Sequence, residues 1–235
     1  GVGVETLYLQ AANDTDAEPG VIAPDVLGPF IVAAHEVGIR VVGWFVPRHG
    51  DVDHDLAFVS AIDEFEYEGH RFDGIALDIE WTQTEEDHQA RSDKAVELAQ
   101  RSAELLGGDA LGAIVLEPLL VSEVNPNLWP GYPYGALAAA VDVFLPMSYW
   151  TNRSEESGLR EGFGYTAGNM ALLRAAGGSD VPFHVIGGIA DATSPADAAG
   201  MVRAATEGGA IGWSVYDWNT TVSSAWEALR PSGPS

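Results

Sequence analysis

Phe72-Asp73-Gly74-Ile75-Ala76-Leu77-Asp78-Ile79-Glu80-Trp81 is an apolar run that ends in two carboxylates. Strand side chains alternate between faces, so Ala76, Asp78 and Glu80 share one face and Leu77 and Ile79 the other. A near-continuous apolar run reads as a strand covered on both sides. Six more such runs recur: Val4–Gln10, Arg40–Pro47, Leu111–Pro118, Val141–Trp150, Val181–Ile189 and Ala210–Trp218. Their starts are about 34 residues apart, the size of a strand-loop-helix-loop unit.

The segments between them read as helices. Asp25 to Val37 closes on Gly38, and Leu56, Val59, Ile62 and Phe65 keep helical spacing on one face. Thr84 with Asp87 resembles a capping pair for a helix that runs to Gly107. Ser194-Pro195 opens another helix, and Val222 to Leu229 reads as a short closing one. Strict alternation predicts an α/β fold, a (β/α)8 TIM barrel. Only seven strands are visible, so the expected barrel lacks its first β-α unit. An open doubly wound sheet is the rival, but it wants a glycine-rich loop after an early strand, and residues 9–14 hold no glycine. Residues 1–230 read as one domain and 231–235 as a tail.

The chain has 235 residues, 35 of them acidic and 11 basic, for a net charge of −24, and no cysteine. Such a surface repels phosphate, so no nucleic-acid partner is expected, and anionic membranes are disfavoured for the same reason. No apolar stretch approaches the roughly 20 residues of a membrane span. The start, Gly1-Val2-Gly3-Val4, does not read as a signal peptide. No thiolate chemistry is possible, and Walker, Rossmann and G-x-S-x-G patterns are absent.

In a barrel the C-terminal strand ends carry the chemistry. Those ends hold Gln10, Asn13 and Asp14; Arg48 and His49; Asp78, Glu80 and Trp81; Glu117; Met147, Ser148, Tyr149 and Trp150; Asp191; and Tyr216, Asp217, Trp218 and Asn219. Trp44 joins them if it faces inward. Carboxylates, amides and flat rings together suit a sugar. Two carboxylates on one buried face repel, which raises the proton affinity of one of them and makes a general acid.

Asp73-x-x-Ala76-x-Asp78-x-Glu80 resembles the D-x-x-D-x-D-x-E signature of the family 18 glycoside hydrolases, the chitinase-like barrels. Met147-Ser148-Tyr149 is similar to that family's M-x-Y, and the run from Gly212 to Trp218 resembles its last strand. If the last strand is the eighth, the first two motifs fall on strands four and six, as in the family. The resemblance implies a glycoside hydrolase with Glu80 as general acid and Asp78 as the carboxylate that assists the substrate's N-acetyl group. It implies a hydrogen bond from Tyr149 to that group and a structural role for Asp73. Trp44, Trp81, Glu117, Met147, Trp150, Tyr216, Asp217 and Trp218 are the expected substrate-binding residues.

Two positions depart from the pattern. Ala76 stands where the signature has its middle Asp, and Tyr216 where the family has a tryptophan. A conventional two-carboxylate hydrolase, with Glu117, Asp191 or Asp217 as the second group, therefore stays open. So does a non-catalytic carbohydrate-binding barrel. A metal-dependent hydrolase using His49, His54, Asp51, Asp53 and Asp55 is a third reading, although an exposed acidic loop explains that segment more simply. Trp129, Tyr132 and Tyr134 are either sugar platforms or local packing. His184 reads as a satisfied core histidine, His35 as surface or packing, and Gly187-Gly188 as close packing. The expected partner is a carbohydrate, with no cofactor and no metal, in an extracellular setting.

Overall fold

The computed structural model describes residues 3–13, 15, 18–177, 182–221 and 223–230. The expected tail 231–235, and Asp14, Val181 and Val222, lie outside them. Among the described residues seven strands alternate with helices. In chain order they are β1 (Thr6–Gln10), α1 (Pro24–Glu36), β2 (Arg40–Phe45), α2 (Val52–Asp63), β3 (Gly74–Ile79), α3 (His88–Leu106), β4 (Ala110–Val115), α4 (Tyr134–Leu137), β5 (Val143–Ser148), α5 (Gly162–Gly177), β6 (His184–Ile189), α6 (Pro195–Glu207), β7 (Gly212–Tyr216) and α7 (Ser223–Ala228). All seven apolar runs form strands. Seven parallel strands alternating with helices make the fold a (β/α) barrel truncated by one strand. No described helix is long and apolar enough to cross a membrane.

The chain divides into two compact units, one of residues 4–114 with 128–142, the other chiefly of 115–127 with 143–230. In the first unit, β1 pairs β2 in parallel with Gln10 opposite Trp44, and β2 pairs β3 with Trp44 opposite Ala76. Partners in a parallel ladder point the same way. One face of this sheet therefore carries Tyr8, Gln10, Val42, Trp44, Ala76 and Asp78. The other face carries Leu7, Leu9 and Val41 into a core with Ile31, Ala34, Ile39, Phe65 and Phe72. Phe45 continues that face against Phe58 of α2, ring centroids 5.7 Å apart. Gly43 lets the helix come this close, since a Cβ there would meet Ala11, Ile62 and Phe72 at 3.0–3.1 Å.

Helix starts follow side-chain chemistry. Asp51 caps α2 by accepting from the amides of Asp53 and His54. Ser194 caps α6 through the Asp197 amide. The expected Thr84–Asp87 pair resolves differently. Asp87 is itself the N-cap of α3 and accepts from the Ala90 amide at 2.8 Å, while the Thr84 hydroxyl accepts from the indole N–H of Trp81 at 2.9 Å. A hydroxyl three residues before the cap is out of reach of the first helical amides, so it serves the indole.

In the second unit β5, β6 and β7 pair in parallel, with Met147 opposite Ile186 and His184 opposite Gly212. Gly187 lies against Met201 of α6 and the Trp150 ring. A Cβ there would come within 2.3 Å of the Met201 sulfur, so the Gly187-Gly188 pair serves close packing.

Asp73 anchors the start of β3. Its Oδ2 accepts from the Val41 amide at 2.7 Å and sits 2.9 Å from His35 Nε2. His35 Nδ1 and His70 Nδ1 are 2.8 Å apart with ring centroids at 5.1 Å, so the two nitrogens point at each other and share a proton. Asp73→Ala leaves two donors without this acceptor. We expect a loss of about 1–2 kcal/mol in urea unfolding, with Asp73→Asn losing less because it keeps one acceptor oxygen.

Candidate active site

β3 is buried along its whole length and ends on the two carboxylates. Asp78 is 7% exposed, and its Oδ1 has no hydrogen-bond partner. Burial, and then the charge of Glu80, hold its carboxyl well above the usual carboxylate range. Glu80 follows the strand and its side chain reaches solvent. Its carboxyl is also raised, through desolvation. Both carboxyls are thus raised, and Asp78 is the more deeply buried of the two.

The same sheet face supplies the neighbours. Trp44 is half-buried one strand over, level with Ala76, so it faces the way the carboxylate pair does. Ala76 is fully buried and offers Asp78 no hydrogen bond. Tyr8 lies on this face too, its hydroxyl pushed up to about 12 by burial against the smaller opposing effect of Arg40. Burial of this tyrosine is invisible in the sequence pattern. Trp81 has its indole N–H tied to Thr84, and the Arg48 guanidinium lies 4.5 Å from its ring centroid. One face of the Trp81 ring is thus covered by a cation.

The histidine-acid segment is part loop and part helix start: Asp51, Asp53 and His54 are exposed, whereas His49 and Asp55 are buried. His49 is fully buried, edge-on to Trp129 at 5.8 Å, and burial lowers its imidazole to about 3 with help from Arg91 and Lys94. Asp55 is buried and accepts from the amides of Arg48 and His49. Asp51 caps α2, Asp53 pairs with Arg101 at 2.6 Å, and His54 packs on Phe58. The acids are engaged by backbone amides or an arginine, and the two histidines pack on rings. Among the described residues no group of three or more His, Asp or Glu could hold a metal.

Trp129, Tyr132 and Tyr134 are 0%, 8% and 6% exposed and stack in sequence at 4.9 and 4.4 Å. They are local packing, and no open ring face remains for a sugar.

In the second unit Glu117 follows β4 and is 3% exposed, with its Oε1 3.4 Å from the Tyr149 amide. Its charge adds to the burial that holds the Tyr165 hydroxyl above its usual range. Asn169 links this wall, accepting from the Leu119 amide and donating to the Ser148 hydroxyl. Met147 and Trp150 are 4% and 1% exposed, and the Trp150 ring lies against Gly187 and Gly188. Both are packed into the wall rather than laid on its surface. Tyr149 is half-buried, 6.4 Å from the ring of Tyr216. Tyr216 and Trp218 are 46% and 71% exposed, and Trp218 lies 5.0 Å from Trp226. Asp217 is occupied by a turn, its carboxylate accepting from the amide and hydroxyl of Thr220. Asp191 is exposed in the turn after β6. His184 is half-buried, its ring over Gly212, and burial lowers it to about 4.

The class this fold and its paired carboxylates define is a (β/α) barrel with an acidic strand end. No family model matches the chain, and no curated relative matches it in sequence. Solved structures do match. A chitinase from Chromobacterium violaceum aligns with 96% of this chain and 90% of its own at 14% identity, TM-score 0.64. The C-terminal domain of a putative chitinase from Desulfitobacterium hafniense aligns with 97% and 89% at 10% identity, TM-score 0.70. A chitinase-like agglutinin from Robinia pseudoacacia aligns with 95% and 93% at 11% identity, TM-score 0.62. The chain shares the fold of chitinases and chitinase-like proteins.

Both carboxyls bind protons more readily folded than unfolded. Their contribution to stability is fully present below the ordinary carboxylate range and is lost as pH rises through the raised values. Asp78→Asn has no charge to bury. Its melting temperature should exceed that of the parent by roughly 2–4 °C at neutral pH. The gap should close by about pH 3, where Asp78 is protonated in both states.

Proposed function

We propose that the protein is a glycoside hydrolase acting on a poly- or oligosaccharide, with Glu80 as general acid and Asp78 as assisting carboxylate. The observation that carries this reading is the pair at the end of β3, both raised, one buried with an unpartnered oxygen and one open to solvent. Two acids in unlike environments divide the roles. Glu80, which solvent and substrate can reach, delivers a proton to the glycosidic oxygen. Asp78, held back in the sheet, offers its free Oδ1 to a polar group of the bound sugar. Trp44, level with Ala76 on that face, supplies an apolar surface for a sugar ring. The neighbours that are chitinases favour an amino-sugar polymer as substrate.

Glu80→Gln should fold as the parent does and lose about 10²–10⁴-fold in kcat on a cleaved glycan. An acid must be protonated to act, and Glu80 is raised. Activity should therefore fall with rising pH along a limb lying above the ordinary glutamate value of about 4.3. Full activity in the Gln variant, measured by release of reducing ends, contradicts the assignment.

A second reading has its own observation. Ala76 leaves Asp78 without the carboxyl partner that the resembled signature supplies, and one structural neighbour is an agglutinin. On this reading the protein binds a glycan without cleaving it. Ala76→Asp separates the two. A hydrolase working without the partner changes its pH profile, whereas a binding protein gains cleavage or stays inert while its glycan affinity changes.

A further inference from the structure

We propose that Tyr132 is a positioning residue for the carboxylate pair, its hydroxyl fixing the peptide from which Glu80 leaves the end of β3. The kinetic arm of this proposal rests on the hydrolase reading above, and the titration arm does not.

Tyr132 Oη donates to the carbonyl of Ile79 at 2.7 Å, a buried contact between residues 53 apart in sequence. Ile79 is the residue between the two acids. Directly across it, the Glu80 amide donates to the Asp78 carbonyl at 3.1 Å. That contact spans two residues and is the closure of a tight turn at a strand end. The tyrosine hydroxyl donates to the carbonyl of the same peptide. Amide and carbonyl on either side of the Ile79–Glu80 peptide are thus both held. Rotation of that peptide would swing the Glu80 side chain relative to Asp78.

The hydroxyl is itself held in place. The Tyr132 ring packs between Trp129 and Tyr134. The Trp129 indole N–H donates to Ser92 Oγ at 2.9 Å, and the Arg91 guanidinium lies 4.1 Å over the Trp129 ring. The same guanidinium donates to the carbonyls of Thr82, Glu85 and Leu128. Arg91 therefore ties the loop that follows Glu80 to the segment that carries Tyr132. Glu80 is bracketed by one fastening, from the strand side by Tyr132 and from the loop side by Arg91. Packing alone would need only the ring. The hydroxyl adds a hydrogen bond to the very peptide that carries Glu80.

Tyr132→Phe keeps the ring and removes the donor. The Asp78 and Glu80 carboxyl titrations, followed by carbon NMR in the substrate-free protein, should each move by about half a pH unit. On a cleaved glycan, kcat should fall about tenfold with KM little changed, as expected when a reacting group is misplaced and binding is kept. Titrations that match the parent overturn the proposal, even if the melting temperature falls, because the tyrosine would then be structural only. Shifted titrations in a protein that cleaves no glycan uphold the positioning role and reject the hydrolase reading. If the Phe variant does not fold, Ser92→Ala frees the Trp129 N–H and loosens the same segment. It should shift both titrations in the same direction by less, and no shift there overturns the proposal.

Discussion

Burying a carboxylate without a partner is among the more expensive arrangements available to a protein, and β3 does this at Asp78. The side chain has nowhere else to go. Leu77 and Ile79 must face the helices, so the alternation of the strand turns Ala76 and Asp78 to the other side. The strand is buried from Gly74 to Ile79, and its neighbour contributes Trp44 on the same face. With Oδ1 unpartnered, burial and then the charge of Glu80 raise the group's affinity for a proton. Much of the surrounding chain can be understood as holding this arrangement still. Asp73 fastens the beginning of β3 to Val41 and His35, Tyr132 fastens its end, and Arg91 fastens the loop beyond.

The strand that ends in the acids also separates them by environment. Asp78 is inside the sheet, where burial dominates. Glu80 is one step past it, where its side chain meets solvent. Both carboxyls are raised, and they differ in burial. A two-acid site needs such unlike environments if one acid is to donate while the other stays put.

The strands were legible because burial on both faces leaves uninterrupted apolar runs, and each of the seven forms a strand. The carboxylate pair was legible because period-two alternation is rigid. Other features were hidden for definite reasons. α5 contains four glycines, at positions 162, 164, 168 and 177, which blur any apolar stripe. Thr84 reads as half of a capping pair, yet its hydroxyl receives the Trp81 indole instead. Asp55 and His49 look like members of an acidic loop, whereas Asp55 bonds two backbone amides and His49 is sealed beneath Trp129. The Tyr132 contact cannot be read at all, because its acceptor is a backbone carbonyl, which has no sequence identity.

Ala76 is where the physics of the site becomes sharpest. An aspartate there would stand on the same face as Asp78, two residues before it, and could share a proton with it. Alanine removes both the partner and a third buried charge. A strand with three acids on one face would need at least one of them neutral at any working pH. A strand with two needs less, and Glu80 relieves the strain further by lying outside the buried stretch. Alanine at this position therefore leaves Asp78 as the one acid inside the buried stretch of β3, with no partner for its Oδ1. On the hydrolase reading proposed above, Asp78 would orient a polar substituent of the sugar through its free Oδ1, and Glu80, the acid open to solvent, would carry the proton transfer.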